Sequence, residues 1–143
     1  ARELAADNGF RNVRVRHGYI ENLPFADASF DAVVSNGVIN LTAEKRRVFE
    51  EAHRVLKPGG TLAVSDIISE QQMPARIKSD ADLWAACIGG AAQVDTYTDD
   101  IEMAGFEVAD LRENPEYEFI SERAVNACQQ YGVKSISLHA RKP

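Results

Sequence analysis

The apolar positions of this chain recur every three or four residues in several stretches, which is the period of a helix with one buried face. The clearest stretch covers residues 43–56, and Thr42 stands in front of it as a candidate N-cap. A shorter pattern predicts a helix over residues 1–8 that ends at Gly9. Further helical patterns are present at residues 82–88, 95–104 and 121–131.

Between these helices lie short stretches of alternating or clustered apolar residues, which is the pattern of strands. They cover residues 13–17, 30–34, 61–67, 106–111 and 135–140. The first alternates apolar and polar residues and predicts a strand exposed on one side, whereas residues 30–34 predict a buried strand. The alternation of helices and strands predicts an α/β fold, with a mostly parallel sheet and helices on its faces.

Length and charge restrict the class of protein. A chain of 143 residues, 45% of them hydrophobic, has the size of one domain, so residues 1–143 are expected to share one core. The net charge of −6 argues against binding to nucleic acid or to anionic membranes. No apolar run has the length of about 20 residues that spans a bilayer, and the expected location is the cytoplasm.

Polar residues follow two of the predicted strands at their carboxyl ends, where α/β sheets bind ligands. Asn36 follows residues 30–34, Asp66 falls at the end of residues 61–67, and Glu21 lies in the loop after the first strand. These three side chains are candidates for one site at the edge of the sheet. Turn formation through their own backbone is the alternative explanation for Asn and Asp at such positions.

The thiols and imidazoles show no metal-binding pattern. The two cysteines, Cys87 and Cys128, are too few and too far apart for a disulfide framework or a zinc site, so free thiols are expected. The three histidines, His17, His53 and His139, are isolated along the chain, and no metal site is predicted.

Several longer motifs carry a family resemblance. The stretches GYIENLPFADASFD, DAVVSN and EAHRVLKPGGTLAVSD resemble the class I S-adenosylmethionine-dependent methyltransferases. SNGVINL and LWAACIGGA are similar to the arsenite methyltransferase branch, which neighbours the ubiquinone and menaquinone methyltransferases. The resemblance implies a Rossmann-like sheet with strand order 3-2-1-4-5-7-6, S-adenosylmethionine as the cofactor, and a small-molecule acceptor such as arsenite.

The resemblance also assigns site residues. It implies that Ile20 and Glu21 contact the adenine edge of the cofactor and that Asn36 borders its methionine end. Asn40 and Cys87 are implied to contact the acceptor. No catalytic acid or base is assigned, because a sulfonium methyl group is already activated and the protein has only to align it with the acceptor.

Two departures from the family pattern bear on these expectations. Gly37 stands where the arsenite branch has a cysteine, and a small buried hydrophobic role is an alternative for Cys87. No Gly-x-Gly-x-Gly stretch occurs, and the resemblance places Ala1 in the helix after the family's second strand. The expectation is therefore an N-terminally truncated sheet that lacks the family's first two strands.

An apolar sheet edge without a neighbour invites pairing with another strand. Residues 13–17 are expected either to pair beside residues 30–34 or to leave that edge for a homodimer. Two functions follow: a methyltransferase acting on a small acceptor, or a non-catalytic remnant that acts as a dimeric or partner-binding protein.

Overall fold

A computed structural model describes residues 1–143. Six α-helices are present: α1 (Arg2–Asp7), α2 (Lys45–Val55), α3 (Ala75–Lys78), α4 (Ala81–Ala85), α5 (Val94–Met103) and α6 (Glu122–Tyr131). A 3-10 turn covers Ile39–Leu41. Five strands are present: β1 (Phe30–Asn36), β2 (Leu56–Ser69), β3 (Ala92–Gln93), β4 (Glu107–Glu113) and β5 (Lys134–Arg141).

The strands form one sheet in the order β1-β2-β5-β4, and β3 pairs with the end of β2. This is the order 4-5-7-6 within the strand order that the family resemblance implies. Pairing is parallel between β1 and β2 but antiparallel between β2 and β5 and between β5 and β4. Only β5 runs against the other four strands, so the predicted mostly parallel sheet is confirmed, with one antiparallel strand in it.

Helix α2 forms because its apolar residues lie on one face, which packs on the sheet. Val48, Phe49, Ala52 and Val55 are all buried, and Phe49 meets Tyr97 of α5 edge-on with ring centroids 5.3 Å apart. Val48, Phe49 and Ala52, together with apolar residues of β2 and β5, belong to the larger core cluster. A second cluster lies between the carboxyl end of β2, α4 and α6.

The predicted boundaries hold for most elements, with exceptions. α2 begins at Lys45 rather than after Thr42; the Thr42 hydroxyl instead accepts a hydrogen bond from the Glu44 backbone N–H at 3.1 Å. α4 ends at Ala85, so Cys87 lies outside it. Ser121 caps α6 by accepting a hydrogen bond from the Ala124 N–H at 3.2 Å.

Residues 13–17 do not form the predicted strand and do not pair with β1. Val13 is exposed, and alternation alone does not make a strand when no neighbouring backbone completes its hydrogen bonds. β1 therefore pairs on one side only, with β2, and Val34 on it is 77% exposed. No helix in residues 1–143 combines the length and apolarity needed to cross a membrane.

The packing of α2 makes a stability prediction. Phe49→Ala removes a completely buried ring from the larger core cluster and is expected to lower the free energy of unfolding by about 3–5 kcal/mol. Phe10→Ala makes the same chemical change at a residue that is 57% exposed, with an expected loss below about 1 kcal/mol. Equilibrium unfolding in urea measures both, and equal losses would contradict the packing described.

Candidate functional site

A sharp turn follows β1 at its carboxyl end, beside the neighbouring parallel strand β2. Asn36 ends β1 and is exposed; Gly37 follows with φ +69°, a left-handed conformation that favours glycine. The Gly37 N–H donates to the Ser65 carbonyl oxygen on β2 at 2.9 Å. This hydrogen bond fixes the start of the segment 37–42, which we term the 37–42 turn.

The 37–42 turn presents some side chains outward and buries others. Val38 and Leu41 are exposed, whereas Ile39 packs into the larger core cluster. Asn40, predicted to contact the acceptor, is completely buried, and its Nδ2 donates a hydrogen bond to the Ile67 carbonyl oxygen of β2. Direct contact between Asn40 and an acceptor stays a prediction.

Cys87 lies against this turn although fifty residues separate it from Gly37. Its Sγ donates to the Gly37 carbonyl oxygen at 3.1 Å, and its backbone has a positive φ of 62°. The side chain is half-buried, and this burial, with a smaller contribution from the charge of Asp66, raises the pKa of the thiol. Cys87 therefore presents a protonated thiol at neutral pH. Contact of Cys87 with an acceptor is untested.

Glu21 and Ile20 lie beside the amino-terminal part of α2. The Thr42 hydroxyl lowers the pKa of the Glu21 carboxyl, so this side chain is ionised at neutral pH. Arg47 Nε donates to the Glu21 carbonyl oxygen at 3.2 Å. Ile20 lines an apolar cavity of about 150 Å³ together with Leu23, Val33 and other residues of β1 and α2. Their predicted cofactor contacts, and that of Asn36, remain predictions.

Arg54 of α2 fixes the loop that carries these two residues. Its guanidinium donates to the Phe25 carbonyl oxygen at 2.8 Å and to the Leu23 carbonyl oxygen at 3.1 Å. The same side chain contacts Glu51, whose carboxylate accepts a hydrogen bond from the Leu23 N–H at 2.7 Å. Glu51 and Asp27 raise the pKa of Arg54, so the cation persists at any physiological pH.

Asp66 is not an exposed rim residue, contrary to the sequence interpretation. It is 2% exposed; Oδ1 accepts from the Ile67 N–H at 2.9 Å and Oδ2 from the Tyr97 hydroxyl at 3.2 Å. Burial raises the pKa of the Asp66 carboxyl, while these hydrogen bonds and the nearby Lys45 oppose the shift. Asp66 therefore links the carboxyl-terminal part of β2 to α5 beneath the site and does not face a ligand.

Lys45 is a residue that the sequence interpretation passed over, because it reads as one of three consecutive cations on a helix surface. The structure places it half-buried, with Nζ donating to the Thr42 carbonyl oxygen at 3.1 Å. Burial lowers the pKa of Lys45, and the negative charges of Asp66 and Asp100 partly offset this. No periodicity in the sequence signals this contact.

Comparison with known proteins identifies the class. Residues 1–128 match the family described as Methyltransferase domain, and the chain belongs to this family. Over the whole chain it is 40% identical to the arsenite methyltransferase of Halobacterium salinarum, of which it covers 37%. Over 58% of the chain it is 49% identical to that of Aquipseudomonas alcaligenes, of which it covers 25%. The matches thus cover between a quarter and little more than a third of the length of these two relatives.

Solved structures agree with the fold. A crystal structure of an arsenic(III) S-adenosylmethionine methyltransferase from Chlamydomonas reinhardtii matches 87% of this chain and 42% of its own, with TM-score 0.66 and 29% identity. A geranyl diphosphate methyltransferase in complex with S-adenosylmethionine matches 99% of the chain and 62% of its own at TM-score 0.80, and at 14% identity it shows the fold alone. The predicted class I methyltransferase fold and the resemblance to arsenite methyltransferases are both confirmed.

The environment of Asp66 makes a pH-dependent prediction. Its raised pKa means that the folded state binds the proton more tightly than the unfolded state, whose carboxyl titrates near 3.8. This contribution to stability is complete below that pH and is lost as the pH rises through the folded-state pKa. In Asp66→Asn, which keeps the shape and an acceptor for the Ile67 N–H, this loss is absent.

The stability of Asp66→Asn relative to the wild type is therefore expected to increase as the pH rises from about 4 toward neutrality. Urea unfolding of both proteins at a series of pH values measures the difference, and the contributions of groups that do not interact with Asp66 cancel. A difference that stays constant over this range would contradict the assigned burial.

Proposed function

We propose that this chain forms the acceptor-facing part of an S-adenosylmethionine-dependent methyltransferase that acts on a small acceptor, with arsenite as the acceptor class. The observation that carries the proposal is the contact between the Cys87 thiol and Gly37 at the carboxyl end of β1. It places a soft sulfur ligand where α/β sheets bind their substrates. The 40% identity to an arsenite methyltransferase along the whole chain supports the same acceptor.

The chemistry of Ile20, Glu21 and Asn36 suits the adenine and methionine ends of S-adenosylmethionine. The ionised Glu21 carboxylate offers hydrogen-bond acceptors, and the cavity beside Ile20 is apolar, as an adenine ring requires. Asn36 supplies an exposed amide at the end of β1. When bound, S-adenosylmethionine supplies a methyl group that its sulfonium charge has already activated.

The contribution of this chain is then alignment rather than proton transfer. Cys87 holds the acceptor beside the 37–42 turn, and the exposed apolar side chains of Val38 and Leu41 shield the reacting atoms from water. Because burial raises the pKa of Cys87, its sulfur carries a proton at neutral pH. When the sulfur binds arsenous acid, an S–As bond forms, one As–OH bond breaks, and the thiol proton leaves with that hydroxyl as water. Asp66 and Tyr97 hold the base of the site in place without contacting the acceptor.

The test is arsenite methylation by the full-length protein in the presence of a small thiol, with methylated arsenic measured by chromatography and mass spectrometry. Cys87→Ser is expected to lower the rate roughly tenfold or more while the dissociation constant of S-adenosylmethionine, measured by calorimetry, stays unchanged. Cys128→Ser is the matched control, with the wild-type rate expected.

The other outcomes are distinct. Saturable cofactor binding without methylated arsenic would contradict arsenite as the acceptor and leave a methyltransferase with another small substrate. No cofactor binding and no methyl transfer would contradict the enzyme and favour a non-catalytic, partner-binding role.

We also propose that, for the chain of residues 1–143 on its own, a second copy covers the open edge of β1, giving a homodimer, and that the protein works in the cytoplasm. The support for the dimer is the one-sided pairing of β1 and the exposure of Val34. Residues 13–17, the other expected partner of this edge, do not pair with it.

Sedimentation velocity at increasing protein concentration tests the dimer. The wild type is expected to sediment as a dimer and Val34→Lys as a monomer, because a charge on an edge strand opposes pairing. Val125→Lys is the matched control, since this valine lies on α6 and is also exposed; it should remain dimeric. A monomeric wild type would mean that another strand, or solvent, occupies the edge.

A further inference from the structure

Asn40 joins three segments of the chain at one buried point. Its Nδ2 donates to the Ile67 carbonyl oxygen near the end of β2, and the side chain has no solvent exposure. The backbone carbonyl of Asn40 lies directly against Gly90, and a Cβ atom at position 90 would overlap the backbone carbonyl oxygen of Asn40. The segment 87–91 can therefore approach the 37–42 turn this closely only because position 90 has no side chain.

This joint lies between the two groups whose contact defines the proposed acceptor site. Gly37 is three residues before Asn40, and Cys87 is three residues before Gly90. The Gly37 end is tied to β2 through the Ser65 carbonyl oxygen at 2.9 Å, and the Cys87 Sγ donates to the Gly37 carbonyl oxygen at 3.1 Å. The position of the Cys87 thiol relative to the 37–42 turn thus depends on the contacts of Asn40 with Ile67 and Gly90.

The residues around Asn40 and Gly90 are buried and restrict the movement of this contact. Ile39 and Ile88 next to the joint are buried, as are Gly89 and Ala91. Because these buried residues pack closely around the joint, the Asn40 side chain has little room to rearrange while it keeps its hydrogen bond to Ile67. A change in the Asn40 amide is therefore transmitted to Gly37 and Cys87 rather than absorbed locally.

We propose that Asn40 is a positioning residue: it sets the Cys87 thiol against the Gly37 carbonyl and so orients the acceptor without touching it. This inference rests on the proposed function for its role in catalysis, since methyl transfer depends on alignment of donor and acceptor. The geometric part, control of the Cys87 thiol by Asn40, stands on the contacts alone.

The first experiment measures the thiol in the full-length protein without cofactor. Asn40→Asp has the same shape and, once the introduced carboxyl is ionised, replaces the amide donor with an oxygen that faces the Ile67 carbonyl oxygen. Because burial favours the protonated carboxyl, the thiol is measured at the alkaline end of the pH range in which the variant stays folded. Alkylation of Cys87 by iodoacetamide, followed peptide by peptide by mass spectrometry, is expected to be on the order of tenfold faster than in the wild type. Alkylation of Cys128 is expected to be unchanged, and Asn126→Asp, an exposed asparagine on α6, is the matched control.

The second experiment measures methyl transfer. Asn40→Asp is expected to raise the acceptor KM by a similar factor while the dissociation constant of S-adenosylmethionine stays at the wild-type value. As the pH is lowered, the ratio of variant to wild-type KM should fall, because the introduced carboxyl becomes protonated and can again donate to the Ile67 carbonyl oxygen. Asn40→Ala, which adds no charge, replaces the first variant if that one does not fold.

Three results overturn or separate the claims. Unchanged alkylation of Cys87 in both variants overturns the inference even if the protein is an arsenite methyltransferase. Equal acceleration at Cys87 and Cys128 also overturns it, because it reports general loosening. Selective acceleration at Cys87 in a protein without methyl transfer upholds the geometric control and rejects the proposed function.

Discussion

The packing of α2 on the sheet is the contact on which the other features of the site depend. Its buried face holds Phe49 against Tyr97, and Tyr97 in turn donates to Asp66 at the end of β2. Its other side fixes the loop before β1 through Arg54, and its first residue, Lys45, donates to the Thr42 carbonyl oxygen. One amphipathic helix therefore positions both the loop with Glu21 and the 37–42 turn, and the Thr42 hydroxyl adds a direct hydrogen bond to the Glu21 carboxylate.

Burial, more than ion pairing, determines the pKa values of the two charged groups beneath the 37–42 turn, Asp66 and Lys45. Asp66 and Lys45 are both withdrawn from water, and burial shifts the pKa of each toward its neutral form. Each keeps hydrogen bonds to neighbouring groups, which limits the cost of removing it from solvent. A buried polar group loses these hydrogen bonds when it is displaced. We therefore expect Asp66 and Lys45 to move less than the exposed side chains of the 37–42 turn.

The sequence predicts the elements whose signals are local. The spacing of apolar residues predicts α2, and Ser121 marks the start of α6 by accepting a hydrogen bond from the Ala124 N–H. Residues 13–17 show the limit of such patterns, because a strand depends on a neighbouring backbone that the pattern does not contain. The antiparallel course of β5 has the same origin, since strand direction is decided by partners far along the chain.

The same limit applies to the site. Family motifs assign Cys87 and Asn40 to the acceptor side, and the structure adds the contacts that motifs omit: Cys87 to Gly37 across fifty residues, and Asn40 to Ile67 across twenty-seven. Burial is the other quantity that the sequence does not carry. The sequence places Asp66 at the end of a predicted strand, as for an exposed site residue, but it lies within β2 and the Tyr97 hydroxyl, thirty-one residues away, donates to it.

The conformation of Gly37 bears on how many soft ligands this site can carry. A side chain added there would meet no atom within 4 Å, so space does not exclude the cysteine that the family resemblance implies at this position. The obstacle is the backbone, whose φ of +69° costs an L-residue roughly 1–2 kcal/mol. Placing a second thiol beside Cys87 would therefore require rotation of one peptide unit rather than repacking of the core, so the number of sulfur atoms at this point of the fold depends on the conformation of a single loop residue.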